Sequence, residues 1–196
     1  PVVFNGRAYV PRANSDSTFS PTLVTWQELT TVAAGAGDTW TAGSAHRQAR
    51  CFHVWDGPQG SLLVLANGRT IRTASAISSP PVDGDWSAAY NAGDSSYEIT
   101  DMVTYKPHLL MIGKQDGWGF FDEQLVFRYE KKLPPDAQNC LGMEEHDGWI
   151  YIPTIAGRFR WRPGSYERIG PEQERDKSAT TGNVLHMFAS DLVNMI

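Results

Sequence analysis

The amino-acid sequence predicts an all-β chain, a β-propeller built from four-stranded blades of about 40–50 residues. Three observations carry that expectation. One cadence recurs, at CFHVWDG from residue 51, ITDMVTY from 99, CLGMEEHDG from 140 and VLHMFAS from 184. Each complete copy follows its second apolar run with a turn dipeptide: Asn67-Gly68, Asp116-Gly117 and Ala156-Gly157. A third segment then alternates, clearest in Arg158-Phe159-Arg160-Trp161-Arg162, where arginines take one face and aromatics the other.

The first strand of each copy begins at Cys51, Ile99, Cys140 and Val184, and three residues on stand Val54, Met102, Met143 and Met187. A polar corner follows: Asp56-Gly57, Lys106-Pro107, Asp147-Gly148 and Ser190-Asp191. The second strand is the apolar run Leu62–Leu65, Leu109–Ile112 or Ile150–Ile152, with Leu192-Val193 beginning it in the last copy. Glycine after Asn or Asp supplies the positive φ of a tight hairpin, so strand–turn–strand is the natural reading. A looser fourth segment carries Trp86, Tyr129 or Tyr166. At the start, VVFNGRAYVP resembles HDGWIYIP, so one more copy enters already under way. The units run approximately 1–50, 51–98, 99–139, 140–183 and, in part, 184–196.

A single four-stranded unit cannot bury both faces, whereas stacking units around an axis does. An ordinary β-sandwich is the alternative. Roughly four units fall short of a comfortable ring of about 4–8 blades. The sequence therefore predicts an incomplete segment of a larger ring, closed by further residues or by other chains. The start PVVFNG lacks Met and a charged region before an apolar segment, and DLVNMI stops inside a strand-like run. Both ends are expected to be those of a processed chain or a piece of a longer one.

Composition narrows the partners. The chain is 41% hydrophobic with seven Trp, seven Tyr, eight Phe, 18 Gly and 12 Pro, which favours short strands and tight turns. A net charge of −5, with no basic run beyond Lys131-Lys132, argues against nucleic acid and anionic lipid. No apolar stretch approaches the ~20 residues of a spanning helix, so membrane insertion is not expected.

Candidate chemistry is sparse. Cys51 and Cys140 share a repeat position with one unit between them, two blades apart and so too distant for a disulfide, and read as buried thiols. The stretch Met143–Gly148 gathers Glu144, Glu145, His146 and Asp147, but neighbours on a strand point to opposite faces, so no metal site is expected. His53 and His186 share a column with Asp101 and Gly142, polar positions that would line an axial channel. No Gly-x-Ser-x-Gly elbow, phosphate loop or Cys-x-x-Cys appears, and GDSS (93–96) reads as a turn before the strand at Ile99. Val54-Trp55-Asp56 contains a Trp-Asp pair in the wrong part of the unit for a WD repeat. No catalytic set stands out, so no enzyme activity, cofactor or metal is expected. Arg158, Arg160 and Arg162 are candidates for gripping an acidic partner or a charged glycan, and Trp86, Trp118 and Trp149 for stacking on sugars. A solvated strand face and sheet-to-sheet packing are the bland alternatives.

Two resemblances add to this. GAGDTW (35–40) resembles the tail of the Asp-box turn of sialidase-type propellers: Gly37, Thr39 and Trp40 match, while Ala33 and Gly35 replace the defining Ser and Asp. The run Ile99–Tyr105, then Leu109-Leu110-Met111-Ile112-Gly113-Lys114-Gln115-Asp116-Gly117 and Phe120-Phe121-Asp122, resembles a propeller unit of tailed-bacteriophage virion proteins. Tyr166–Glu172 is similar to the inter-blade link of that group, and the likeness covers about residues 40–196. It implies a virion location and a structural role in tail, fibre or head surface, as rigid scaffold or adhesion platform. The implied partners are other virion proteins, copies of the same chain, and a host surface glycan or receptor. The alternatives are a secreted glycan-binding or glycan-hydrolysing propeller of sialidase-like type and a cellular interaction hub.

Overall fold

A computed structural model describes residues 2–13, 24–30, 37–39, 49–57, 60–78, 83–105 and 108–170. The predicted partial copy from Val184, with His186, lies outside them, as do Lys106-Pro107, Ala33, Gly35 and Trp40. The described residues form four four-stranded antiparallel sheets, each a simple meander in chain order. The first sheet holds β1 (Val2–Phe4), β2 (Arg7–Ala13), β3 (Val24–Thr30) and β4 (Gly37–Thr39). The second holds β5 (Cys51–Gly57), β6 (Gly60–Asn67), β7 (Thr70–Ala74) and β8 (Tyr90–Asn91). The third holds β9 (Ile99–Tyr105), β10 (Leu109–Lys114), β11 (Gly117–Phe121) and β12 (Phe127–Lys132). The fourth holds β13 (Glu144–His146), β14 (Trp149–Thr154), β15 (Gly157–Arg162) and β16 (Ser165–Arg168).

The turns explain why these segments pair. Asn5 and Gly6 have φ 48° and 78°, and Asp147 and Gly148 have φ 50° and 74°. Both hairpins, β1–β2 and β13–β14, thus turn on two left-handed residues, the geometry that Asn-Gly and Asp-Gly favour. The likeness of VVFNGRAYVP to HDGWIYIP is a likeness of backbone.

Period-two alternation then sends each middle sheet into two cores. On β6, Leu63 and Leu65 join Phe4, Tyr9 and Phe52 between the first and second sheets. The intervening Val64 and Ala66 join Ile99, Leu110, Ile112 and Phe121 between the second and third. On β10, Met111 points away from its neighbours Leu110 and Ile112, into a third core with Ile150, Ile152, Phe159 and Trp161. Runs such as LLVL and LLMI are therefore continuous because both faces are buried. First strands adjoin in series, β1 beside β5, β5 beside β9 and β9 beside β13.

Two local readings need correction. Cys140 does not open the first strand of its unit; it occupies a turn at φ 59°, and β13 starts at Glu144. Trp86 lies outside the strands, after a short 3-10 turn at Asp83–Asp85, and is buried against the first joint. Both thiols are free, Cys140 buried and Cys51 half-buried, and burial pushes both well above the usual thiol range.

Candidate functional site

The predicted interaction residues divide between one face of the fourth sheet and the core that the third sheet shares with it. Arg158, Arg160 and Arg162 alternate on β15 with buried Phe159 and Trp161. They share their face with Tyr151 and Pro153, which lie opposite Arg160 and Arg158 across the strand pair. The guanidinium carbons of Arg160 and Arg162 both stand 4.3 Å from the Trp149 ring centroid. Arg160 also donates to Glu167 Oε2 from Nε at 3.0 Å and from Nη2 at 2.7 Å. Arg160 and Arg162 thus cover Trp149, with Arg162 the exposed member of the stripe.

Trp118 is not on that face. It is fully buried in the core between the third and fourth sheets, with Phe159 at 5.2 Å and Tyr166 at 6.1 Å between ring centroids. An indole enclosed in this way has no surface for a sugar or a partner, so Trp118 is a packing residue. Alternation explains the outcome: with Met111 on β10, Trp118 on β11 fills the face that meets the next sheet.

The polar column does join neighbours. His53 Nε2 on β5 lies 2.7 Å from Thr104 Oγ1 on β9. Asp101 on β9 accepts from the backbone N–H of Gly142 and of Met143, both at 2.9 Å, through Oδ2. Each side chain reaches forward to the unit that follows. At Gly142 the same column has no side chain to reach with. At His53 and Asp101 the polar column ties successive units to one another.

Burial acts on both groups. It lowers the His53 imidazole from the ordinary 6.5 to about 4, against a smaller opposing pull from Asp56. A histidine whose folded pKa lies below its unfolded value contributes stability that is full above 6.5 and lost as pH falls towards 4. The loss is about 2–3 kcal/mol at the acid end of that window. Urea titrations at a series of pH values should therefore show a fall in midpoint across it that His53→Asn removes. Burial raises the Asp101 carboxyl, against the backbone N–H groups of Met102, Met143 and Gly142 that favour its charged form. Asp101→Asn keeps the volume but turns an N–H₂ towards backbone donors, which should cost about 1–3 kcal/mol. A change in urea midpoint below experimental error would remove Asp101 from the joint.

The densest polar cluster was missed as a site. Lys114, at the end of β10, is fully buried. Its Nζ donates to Ala92 O at 2.6 Å, Ser95 Oγ at 2.7 Å and Tyr129 Oη at 2.9 Å. Asp116 Oδ1 stands 3.8 Å from Nζ, and Asp116 Oδ2 accepts from Tyr129 Oη at 3.1 Å. Burial moves the ammonium pKa down while Asp116 opposes that shift, and burial keeps the Tyr129 phenol protonated beyond its usual range. Nearby, buried Asn139 donates from Nδ2 to Gln115 O and Pro134 O and accepts at Oδ1 from Ile155 N–H. These groups pin the links between sheets to the strands they cross. The signal in the sequence was Gly113-Lys114-Gln115-Asp116-Gly117 itself, visible as a cadence but not as a network.

In the Met143–Gly148 stretch, Glu145 Oε1 accepts from Gly148 N–H at 3.1 Å and His146 lies beside Asp147. Among the described residues, no group of three or more His, Cys, Asp or Glu could hold a metal ion. No protein-family model, curated protein or solved structure matches the chain.

Proposed function

We propose that this chain is part of a β-propeller and works as a rigid scaffold or adhesion platform in a bacteriophage virion. Its partners in that role are other virion proteins or further copies of itself. The observation that carries this reading is the use made of the polar positions. His53, Asp101, Lys114 and Asn139 each bind one sheet or link to the next. Buried polar groups satisfied in this way stiffen a stack and fix one arrangement of it. The serial adjacency of first strands agrees with blades set around an axis. A stiff stack suits a platform, because exposed loops can vary without disturbing the cores.

The likeness to virion propeller units also acquires a physical content. The Gly-Lys-x-Asp-Gly element forms a joint, with Lys114 reaching Ala92 and Ser95 of the preceding link, so assembly of sheets gives a reason for its presence. The glycan-directed alternative has less support. Arg160 is engaged by Glu167, and both Arg160 and Arg162 lie over the Trp149 ring on which a sugar would stack.

The test is to band the native source on a density gradient and follow the peptides of this chain by mass spectrometry. Co-migration with intact particles is the expected result. Recovery only as a slow, particle-free species would overturn the virion role and make glycan binding the next assay.

A further inference from the structure

The link between the second and third sheets holds a serine in an unusual setting. Gly93-Asp94-Ser95-Ser96 lies between β8 and β9, with Ser95 half-buried and Asp94, Ser96 and Tyr97 exposed. Ser95 Oγ is 2.7 Å from Lys114 Nζ and 2.9 Å from Tyr129 Oη. Lys114 is in turn held by Ala92 O, and Tyr129 by Asp116. Gly93 is part of the construction. Its φ is +77°, and a Cβ there would stand 2.5 Å from the Tyr129 ring, so only glycine lets the ring close on the link.

We propose that Ser95 is an activated nucleophile, poised by Lys114 and Tyr129 to take an acyl group from an activated ester or thioester. A hydroxyl gains nucleophilicity when an adjacent base can accept its proton, and serine–lysine pairs are one known arrangement of that kind. The network here closes in either protonation state of Lys114. With the ammonium, three N–H groups donate to Ala92 O, Ser95 Oγ and Tyr129 Oη, while Ser95 donates to Tyr129 and Tyr129 to Asp116. With the amine, Nζ donates to Ala92 O and Tyr129 Oη and its lone pair accepts the Ser95 proton. Every polar atom keeps a partner in both patterns, so loss of one proton from Lys114 turns the serine towards a base without moving a heavy atom. Burial, with the charges of Arg69 and Lys132, works towards the amine, while Asp116 and Asp94 work against it.

In the step itself, Ser95 Oγ bonds to the carbonyl carbon and the bond from that carbon to the leaving oxygen or sulfur breaks. The serine proton passes to Lys114 Nζ and from there to the leaving atom. The products are an ester on Ser95 and a free alcohol or thiol, with no redox change. Ser95 is half-buried between exposed Asp94 and Ser96, so the acyl donor would approach from that side of the link. This assignment goes beyond the scaffold role and does not depend on it, since it adds a covalent attachment point at a joint.

The experiment uses the intact folded chain and p-nitrophenyl acetate as acyl donor, with modified serines mapped by mass spectrometry across a pH series. Ser95 should be acetylated about 100-fold faster than Ser61 and Ser78 in the same digest. Its rate should rise with pH and level off below the ordinary lysine value of 10.5. The preference should vanish when the chain is unfolded in urea, and Ser95→Ala should remove the modified peptide. Acetylation of Ser95 no faster than the other two serines, or equally fast in urea, would overturn the proposal.

Discussion

Replacement of Lys114 by alanine is expected to lower the stability of the chain by about 3–5 kcal/mol, the range found when one partner of a buried charged pair is removed. The side chain is fully enclosed, and three acceptors depend on it: Ala92 O, Ser95 Oγ and Tyr129 Oη. Alanine leaves Ala92 O without that donor, Asp116 without its nearby cation, and a void the length of a lysine stem. Each of these costs free energy by itself. Lys114→Met separates them, because it fills the space but restores no donor. It should recover a minor part of the loss, and Lys114→Met combined with Asp116→Asn should recover more by removing the stranded carboxylate. Urea denaturation of the four proteins measures the effect. A change below about 1 kcal/mol for Lys114→Ala would mean that Lys114 is not what pins the link, because that is the range of exposed charges.

Lys114 also marks where sequence reasoning stopped. The all-β architecture was legible because alternation and Gly turns are local signals. Arg158 to Arg162 declares two faces, and Asn5-Gly6 and Asp147-Gly148 declare two hairpins with nearly equal φ values. Runs such as Leu62–Leu65 declare burial on both faces without saying against what. The polar joints are different in kind. Ala92 and Ser95 lie 22 and 19 residues before Lys114, and Asn139 lies 24 residues beyond its acceptor at Gln115. Nothing local distinguishes a lysine buried by such partners from one at a solvated strand end. The candidate tryptophans fell to the same limit. Trp118 and Trp149 occur in similar GW contexts, yet one is sealed by the next sheet and the other lies under Arg160 and Arg162. The residue count also misplaced Cys140, because a turn before β13 takes up four residues that no spacing argument could assign.

The other large effect is expected at Gly117, and three glycines resolve its cause. Gly117 opens β11 at φ +134°, and a Cβ there would stand 2.0 Å from Lys131 O on β12. Gly119 lacks the unusual φ, but its Cβ would stand 2.2 Å from Arg128 O. Gly68 has φ +55° with nothing within 4 Å of a Cβ. Alanine at Gly68 tests backbone strain alone and should cost about 1 kcal/mol. Alanine at Gly119 tests the clash alone. The obstructing atom is backbone in a paired strand, so the β11–β12 ladder must give way, at about 2–3 kcal/mol. Gly117→Ala combines both and should cost at least about 4 kcal/mol, enough to unfold a domain of marginal stability. The register supports that order, since Gly117 pairs with Lys132 and the ladder shifts between Trp118 and Gly119. The irregularity thus falls between the two glycines that bring β11 closest to β12. Urea midpoints in the order Gly68→Ala above Gly119→Ala above Gly117→Ala would identify close backbone approach as the reason for glycine in this strand. Equal midpoints for Gly68→Ala and Gly117→Ala would show that φ alone matters and that β12 can move aside.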